Sequence, residues 1–267
     1  MNIWAALGQN FAILVAVMIV LWLISIKIRD VSFIDAFWAY GMAMMASASI
    51  IQVPDPGPLA LAIWALTALW GLRLGTHLFL RWRREGEDKR YKKIIGGTME
   101  KKGWSFAKTS LVRAWATQIP LLFLVCLPAQ VGILLAGEQD IGTVAIIGIV
   151  IALIGLFFET VGDAQLKAFR RRSDTKGKVL DSGLWRYTRH PNYFGDACTW
   201  WGIFIVAVTA GWPVWLTVAG PIFLTFTLMK WSGAALLEKG MKETRPKYAE
   251  YKKTTSAFLP MPPKKNS

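Results

Sequence analysis

Charge is scarce in this sequence. Asp, Glu, Lys and Arg make up 18% of its 267 residues, where soluble domains carry about 25%. Hydrophobic residues reach 54% and the mean hydropathy is +0.38, against a usual apolar share of about 45–50%. That balance points to a membrane protein and away from a soluble domain. Cysteine is nearly absent as well. Cys126 and Cys198 each lie in an apolar stretch, at no spacing that suits a metal. They read as two buried thiols, and no metal site is expected. No G-x-G-x-x-G follows a strand pattern, so a Rossmann-type dinucleotide site has no support. The first apolar run is too long for a signal peptide and lacks a basic start, so no cleavable leader is expected. No internal repeat is found, which weighs against a transporter.

Long apolar runs are abundant. A bilayer core needs about 20 such residues per helix. Seven stretches qualify: Ile3–Ile26, Val31–Val53, Leu59–Leu80, Leu111–Leu135, Ile141–Phe169, Phe194–Gly211 and Trp212–Trp231. Gly57, Pro58, Gly137, Gly211 and Pro213 mark turns between them, and Pro120 and Pro128 predict kinks in the fourth. The sixth and seventh are short and nearly continuous. The expected fold is all-α, a single polytopic membrane domain over 1–267 with seven transmembrane helices. Its larger loops fall at 81–110 and 170–193, and 260–267 reads as a frayed tail.

The placement of basic residues tests that count. Of 31 Lys and Arg, two lie at 27–30, ten at 81–108, eight at 167–189 and nine from Lys230 onwards. Arg73 and Arg113 fall inside apolar runs, and the loops "VPDPGP", "AGEQD" and "AGWP" contain no Lys or Arg. With seven spans every basic loop lies on one side, which the positive-inside rule makes cytoplasmic. Six or eight spans would scatter these loops over both faces. The amino terminus is then expected outside and the carboxyl terminus inside. Most of the net charge of +14 is therefore topological and lipid-facing, as at Lys89–Lys93 and Lys264–Lys265. Nucleic acid is not an expected partner.

Ionisable groups at membrane depth cost roughly 2.5–3.5 kcal/mol each on insertion scales and so mark function. The second span carries Asp35, with Trp38 and Tyr40 close by. The third, "LWGLRLGTHLFLRWRR", spaces Arg73, His77 and Arg81 by four, which makes one cationic stripe on a helix. The fifth spaces Glu159, Asp163 and Lys167 in the same way, followed by Arg170; at the sixth, Asn192 and Asp196 are again four apart. These stripes pair as structural salt bridges or line a cavity. Two opposed residues would suffice to fix packing, so four polar faces favour a cavity that opens to the cytoplasmic side and holds a large polar ligand. Arg81, Arg83, Arg170, Arg171, Arg172 and Arg189 are expected near that face, and the planar fork of arginine matches phosphate oxygens. Asp163 and Glu159 suit ribose hydroxyls or a carboxamide, while Tyr187 and Tyr193 offer stacking faces.

Four segments in this order carry a resemblance: "DAFWAYG" (Asp35–Gly41), "LWGLRLGTHL" followed by "GEDKRY" (Gly86–Tyr91), "GLWRYTRHPNYFGD" (Gly183–Asp196) and "RPKYAEYKKTTSAFLP" (Arg245–Pro260). Over nearly the whole chain they resemble a bacterial branch of the steroid 5α-reductase superfamily. "RHPNY" alone is less specific, because isoprenylcysteine carboxyl methyltransferases and related lipid methyltransferases share an Arg-His-Pro-x-Tyr segment. The resemblance implies a seven-helix membrane enzyme that takes NADPH and reduces the double bond of an enone in a sterol-like substrate. Arg73 looks like that family's third-helix arginine, Asp163 and Arg170 match its Asp-x(6)-Arg pattern, and Tyr187 and Asn192 look like its cofactor-holding loop pair. Asp35 lies where the animal enzymes have an active-site glutamate. Their active-site tyrosine corresponds to Trp70, whose N–H can hydrogen-bond a carbonyl but is no practical proton donor.

The expected site follows. Asp35, Trp70 and His77 form the catalytic end, with a buried, protonated Asp35 as the acid at the carbonyl oxygen and His77 in reserve. Arg73, Arg81, Glu159, Asp163, Arg170, Arg171, Tyr187, Arg189, His190, Asn192, Asp196 and Glu238 form the cofactor end. Pro191 starts the sixth helix, and His190 is otherwise a surface histidine. A lipophilic substrate and membrane lipid are the expected partners, and the bacterial inner membrane is the expected location. The rival reading is an S-adenosylmethionine-dependent lipid methyltransferase. That cofactor has no phosphate and calls for fewer arginines.

Overall fold

A computed structural model describes residues 2–175, 177–231, 234, 238, 241 and 245–264. Among these the chain is helical, with one isolated bridge between Thr188 and Ser256. The helices are α1 (Ile3–Ile28), α2 (Ile34–Ile51), α3 (Pro58–Glu85), α4 (Lys89–Lys102), α5 (Phe106–Ala136), α6 (Thr143–Arg171), α7 (Pro191–Val208), α8 (Trp212–Lys230) and α9 (Tyr248–Thr254). Six of them, α1, α2, α3, α5, α6 and α8, are long and apolar enough to cross a membrane. The sequence predicts seven. The seventh candidate, α7, has 18 residues but opens on the polar run "PNYFGD" and falls short of that apolarity. Outward-facing side chains are as apolar as the interior: α1 exposes Val20 and Leu23, and α6 exposes Ile147, Val150 and Phe157. Soluble proteins rarely show such continuous apolar faces, and this chain is a multi-pass membrane protein.

Two compact units are distinguished, one holding residues 1–145 and 206–220, the other 146–205 and 221–267. In the first, polar side chains bond across helices. Asn10 of α1 donates to Ser49 on α2 (2.8 Å) and to Gln130 on α5 (3.0 Å), and accepts from Gln52 (2.8 Å). Indole N–H groups do similar work: Trp22 donates to Ser110, Trp115 to Ser25, Trp64 to Ser47 and Trp38 to Gln118. Each such bond contributes about 0.6–2 kcal/mol between membrane helices. Helix α5 contains a π-helical turn at Leu111–Trp115 as well as Pro120 and Pro128, so its irregularity begins before the prolines. The three loops without Lys or Arg meet at one end of this unit. Gly57 donates to the Gly137 carbonyl (2.7 Å), Leu59 to that of Gln139 (3.0 Å), and the Gln139 side chain to that of Ala210 (3.3 Å).

In the second unit, the backbones of α6 and α7 touch along a seam of small residues. A Cβ at Gly155 would lie 2.4 Å from the Thr199 nitrogen, one at Gly195 2.4 Å from that of Glu159, and one at Gly202 2.4 Å from that of Ala152. Such seams let membrane helices approach closely enough for dispersion contacts to hold them. Trp201 then donates to Thr225 (3.1 Å), tying α7 to α8. By contrast, a Cβ at Gly97 on α4 would meet nothing within 4 Å. Gly155→Ala is expected to destabilise the detergent-solubilised protein by about 1–3 kcal/mol, the usual cost of overpacking, while Gly97→Ala is expected to be neutral or mildly stabilising. Thermal unfolding of the two variants side by side checks both.

Candidate functional site

The second unit gathers most of the polar residues singled out from the sequence. Helix α6 runs unbroken through Glu159 and Asp163, so their four-residue spacing puts them on one face. Both are buried, as is Asp196 on α7. Asn192, in the first turn of α7, donates from Nδ2 to Asp163 Oδ1 at 3.1 Å. The segment before α7 is pinned to the end of α6 by two further bonds. The Leu184 amide donates to Gln165 Oε1 (3.0 Å), and the Trp185 indole donates to the Gly162 carbonyl (3.0 Å). Arg170 and Arg171 close α6 and are exposed, as is Tyr187.

Arg189 and His190 are buried and have partners in the C-terminal segment. Arg189 donates from Nε to Glu238 Oε1 (2.9 Å) and from Nη1 to the carbonyls of Thr255 (2.7 Å) and Lys252 (3.3 Å). His190 Nε2 lies 3.2 Å from the same Glu238 oxygen, and Lys252 Nζ reaches the other at 3.0 Å. The His190 ring stacks on Tyr193 at 5.4 Å. Backbone bonds complete the join: Arg189 to Ser256 (2.9 Å), Met261 to Tyr187 (3.0 Å), and the Thr188 hydroxyl to Phe258 (2.8 Å). Tyr251 also donates to the Trp185 carbonyl. Residues 248–264 therefore form a strap across "RYTRHPNY". Burial opposes ionisation of Glu238, but hydrogen bonds from His190, Lys252 and Arg189 outweigh it and hold the carboxyl well below the usual range. Burial, reinforced by the Glu238 charge, pushes the Tyr248 hydroxyl up to about 12.

The first unit holds the remaining candidates. Trp70, Arg73, His77 and Arg81 all lie on the continuous helix α3, with Trp70 buried. Asp35, in the first turn of α2, uses both oxygens as acceptors: Oδ1 from the Tyr91 hydroxyl (2.8 Å) and Oδ2 from Arg90 (3.1 Å). Arg90 also bonds Asp88 (2.9 Å), and burial followed by the Asp35 charge holds the Tyr91 hydroxyl far above its ordinary value, so it stays a donor. Nearby, Trp82 donates to Asp30 (2.7 Å) and the Asp88 amide donates to Ser32 (3.0 Å), which fixes the start of α4 against the turn before α2. The sequence places Arg90 with the lipid-facing charge of Lys89–Lys93, where the structure pairs it with Asp35 and Asp88, and it gives no role to Tyr91, Gln165, Trp185, Lys252 or Thr255. Four of these lie inside "GEDKRY" and "RPKYAEYKKTTSAFLP", so their presence in a motif was the available signal.

A family described as a protein of unknown function, DUF1295, matches residues 21–255. A 3-oxo-5-alpha-steroid 4-dehydrogenase 1 of Mus musculus is 27% identical over 116 residues, which is 42% of this chain and 40% of that protein. The match therefore spans about two fifths of the length of that curated relative. No solved structure matches.

The Glu238 hub has a clear consequence. Its folded pKa is depressed, so its contribution to stability is full above the unfolded glutamate value of about 4.3 and is lost as the pH falls below it. Glu238→Gln is expected to lower stability at neutral pH by about 3 kcal/mol, the scale of stripping one partner from a buried ion pair. The gap from the unsubstituted protein should narrow below about pH 4. Chemical unfolding across pH, with limited proteolysis of residues 245–264, measures both effects.

Proposed function

We propose that this chain, which belongs to the DUF1295 family, is a membrane-embedded, NADPH-dependent reductase of the C=C bond of a lipophilic enone, a steroid 4-en-3-one or a sterol-like lipid. The observation that carries the reading is the buried polar face of α6 and α7. Glu159, Asp163 and Asp196 are buried there, Asn192 donates to Asp163, and the arginines at the end of α6 follow directly. A bundle that needed only a structural salt bridge would not keep three buried acids there. The likeness to a steroid 4-dehydrogenase points the same way.

The donor set fits a phosphorylated dinucleotide. In the second unit, the forks of Arg170 and Arg171 suit phosphate oxygens, and Asp163, held by Asn192, suits a hydroxyl or carboxamide; Arg73 and Arg81 offer the same chemistry on α3 of the first unit. Tyr187 and Asn192 sit on the segment that the strap clamps, with Arg189, His190 and Glu238 fixing its shape. When bound, the reduced nicotinamide supplies a hydride to the β-carbon of the enone. The residues of the chain bind, orient and protonate. Asp35, Trp70 and His77 form the carbonyl end. In the arrangement described, both Asp35 oxygens accept hydrogen bonds, so Asp35 orients Tyr91 and Arg90; Trp70 donates its N–H to the carbonyl, and His77 carries the exchangeable proton.

A cavity open to the cytoplasm with seven spans accommodates this reading, in a bacterial cell membrane with the amino terminus outside. Two features support the seventh span. The bond from Gln139 to Ala210 returns the end of α7 to the loops that lack Lys and Arg, and 18 residues of helix reach about 27 Å against a core of about 30 Å.

Titration of the purified protein with NADPH, NADH and S-adenosylmethionine tests the cofactor. NADPH is expected to bind at least about tenfold more tightly than NADH, from charge-assisted bonds to the additional phosphate. Equal affinities, or tight binding of S-adenosylmethionine, would sink the reductase reading in favour of a methyltransferase.

Turnover on an enone tests the proton donor. His77→Gln is expected to lose about 10²–10⁴-fold, the usual contribution of a general acid. Asp35→Asn is expected to lower stability while keeping turnover within about tenfold. The opposite pattern, with NADPH binding intact, makes Asp35 the acid.

A further inference from the structure

Just past the end of α6, a recess of about 480 Å³ is lined by Phe169, Arg170, Arg172, Ser173, Thr175 and Arg245, with Gly177 at its edge. Its volume lies within the range of about 300–1,000 Å³ typical of small-ligand sites. Two of its arginines are already fixed by the protein along one edge. Arg172 donates from Nε and Nη2 to Asp174 (3.1 and 2.9 Å), which leaves Nη1 uncommitted among the described residues. Arg245 donates from Nη1 to the Lys178 carbonyl (2.6 Å), which among the described residues leaves Nε and Nη2. A guanidinium held at one edge and open at the other is pre-organised, so less side-chain entropy is lost when an oxyanion docks. The Thr175 hydroxyl is turned back onto the Arg172 carbonyl (2.9 Å) and shapes the turn that carries Ser173.

Asp174 offsets one cation, and it is shared with Lys178 at 3.2 Å. The carbonyl end of α6 adds partial negative charge. Among the described residues, Arg172, Lys178 and Arg245 stand here with Asp174 between the first two, and Phe169 adds an apolar wall.

We propose that this recess is a phosphate site in which Arg172 and Arg245, with Arg170, clamp a terminal phosphate. The phosphate comes from a nucleotide or from a lipid headgroup at the same membrane face; the nucleotide arm rests on the reductase reading. Both sources are tested on the full chain in detergent. Affinity for 2′,5′-ADP is measured by calorimetry, and retention of short-chain phosphatidic acid by native mass spectrometry. Arg172→Gln and Arg245→Gln are each expected to weaken the bound species by about tenfold or more. Arg245→Lys, which keeps the charge but loses the fork, is expected to weaken it too. Loss confined to 2′,5′-ADP assigns the recess to a nucleotide phosphate, and loss confined to phosphatidic acid assigns it to a headgroup. If all three variants retain unaltered binding of both, or the unsubstituted protein binds neither, the proposal is overturned. If it binds neither NADPH nor NADH, the reductase reading fails, and the phosphatidic acid measurement alone decides this site.

Discussion

Inside hydrocarbon, a hydrogen-bonding group has no water to fall back on, and each one must find its partner within the chain. That constraint shapes both units. In the first, Asn10 bridges α1, α2 and α5 through Ser49 and Gln130, and indoles bond hydroxyls or amides of neighbouring helices. Tryptophan suits this role because one side chain brings a large apolar body and a single donor that needs only one acceptor. Hydrophobic burial supplies little between helices when the solvent is itself apolar. Directional bonds and close backbone contact take its place.

The same constraint explains how the polar face on α6 and α7 is held in register. With Gly155, Gly195 and Gly202 each leaving no room for a Cβ, sliding one helix by a residue would drive a larger side chain into backbone. The Asp163–Asn192 bond is thus aligned by glycine packing before its own attraction counts. The buried acids of α6 are thus fixed in place by backbone contact.

Much of this was legible in the sequence, and the reasons are local. The spacing of Arg73, His77 and Arg81, and of Glu159 and Asp163, survives because α3 and α6 are unbroken helices, and a 3.6-residue period fixes relative direction. The apolar runs predicted the helices to within a few residues, although α3 and α6 continue further into the basic segments at Glu85 and Arg171. The apolarity of α7 was overestimated, because its polar opening turn belongs to the helix itself. What periodicity could not reveal was long-range pairing. Nothing in the spacing of Asp35 announces Arg90 and Tyr91, more than fifty positions away, and nothing in "RHPNY" announces Glu238.

That last pairing bears on what the "RHPNY" segment does in this chain. Arg189 donates to a glutamate and two backbone carbonyls, and His190 shares the same glutamate while stacking on Tyr193. All of these are contacts of the chain with itself. Their work is to hold the C-terminal strap across the segment that leads into α7. The clamp is thus structural, and the exposed arginines that close α6 stand outside it.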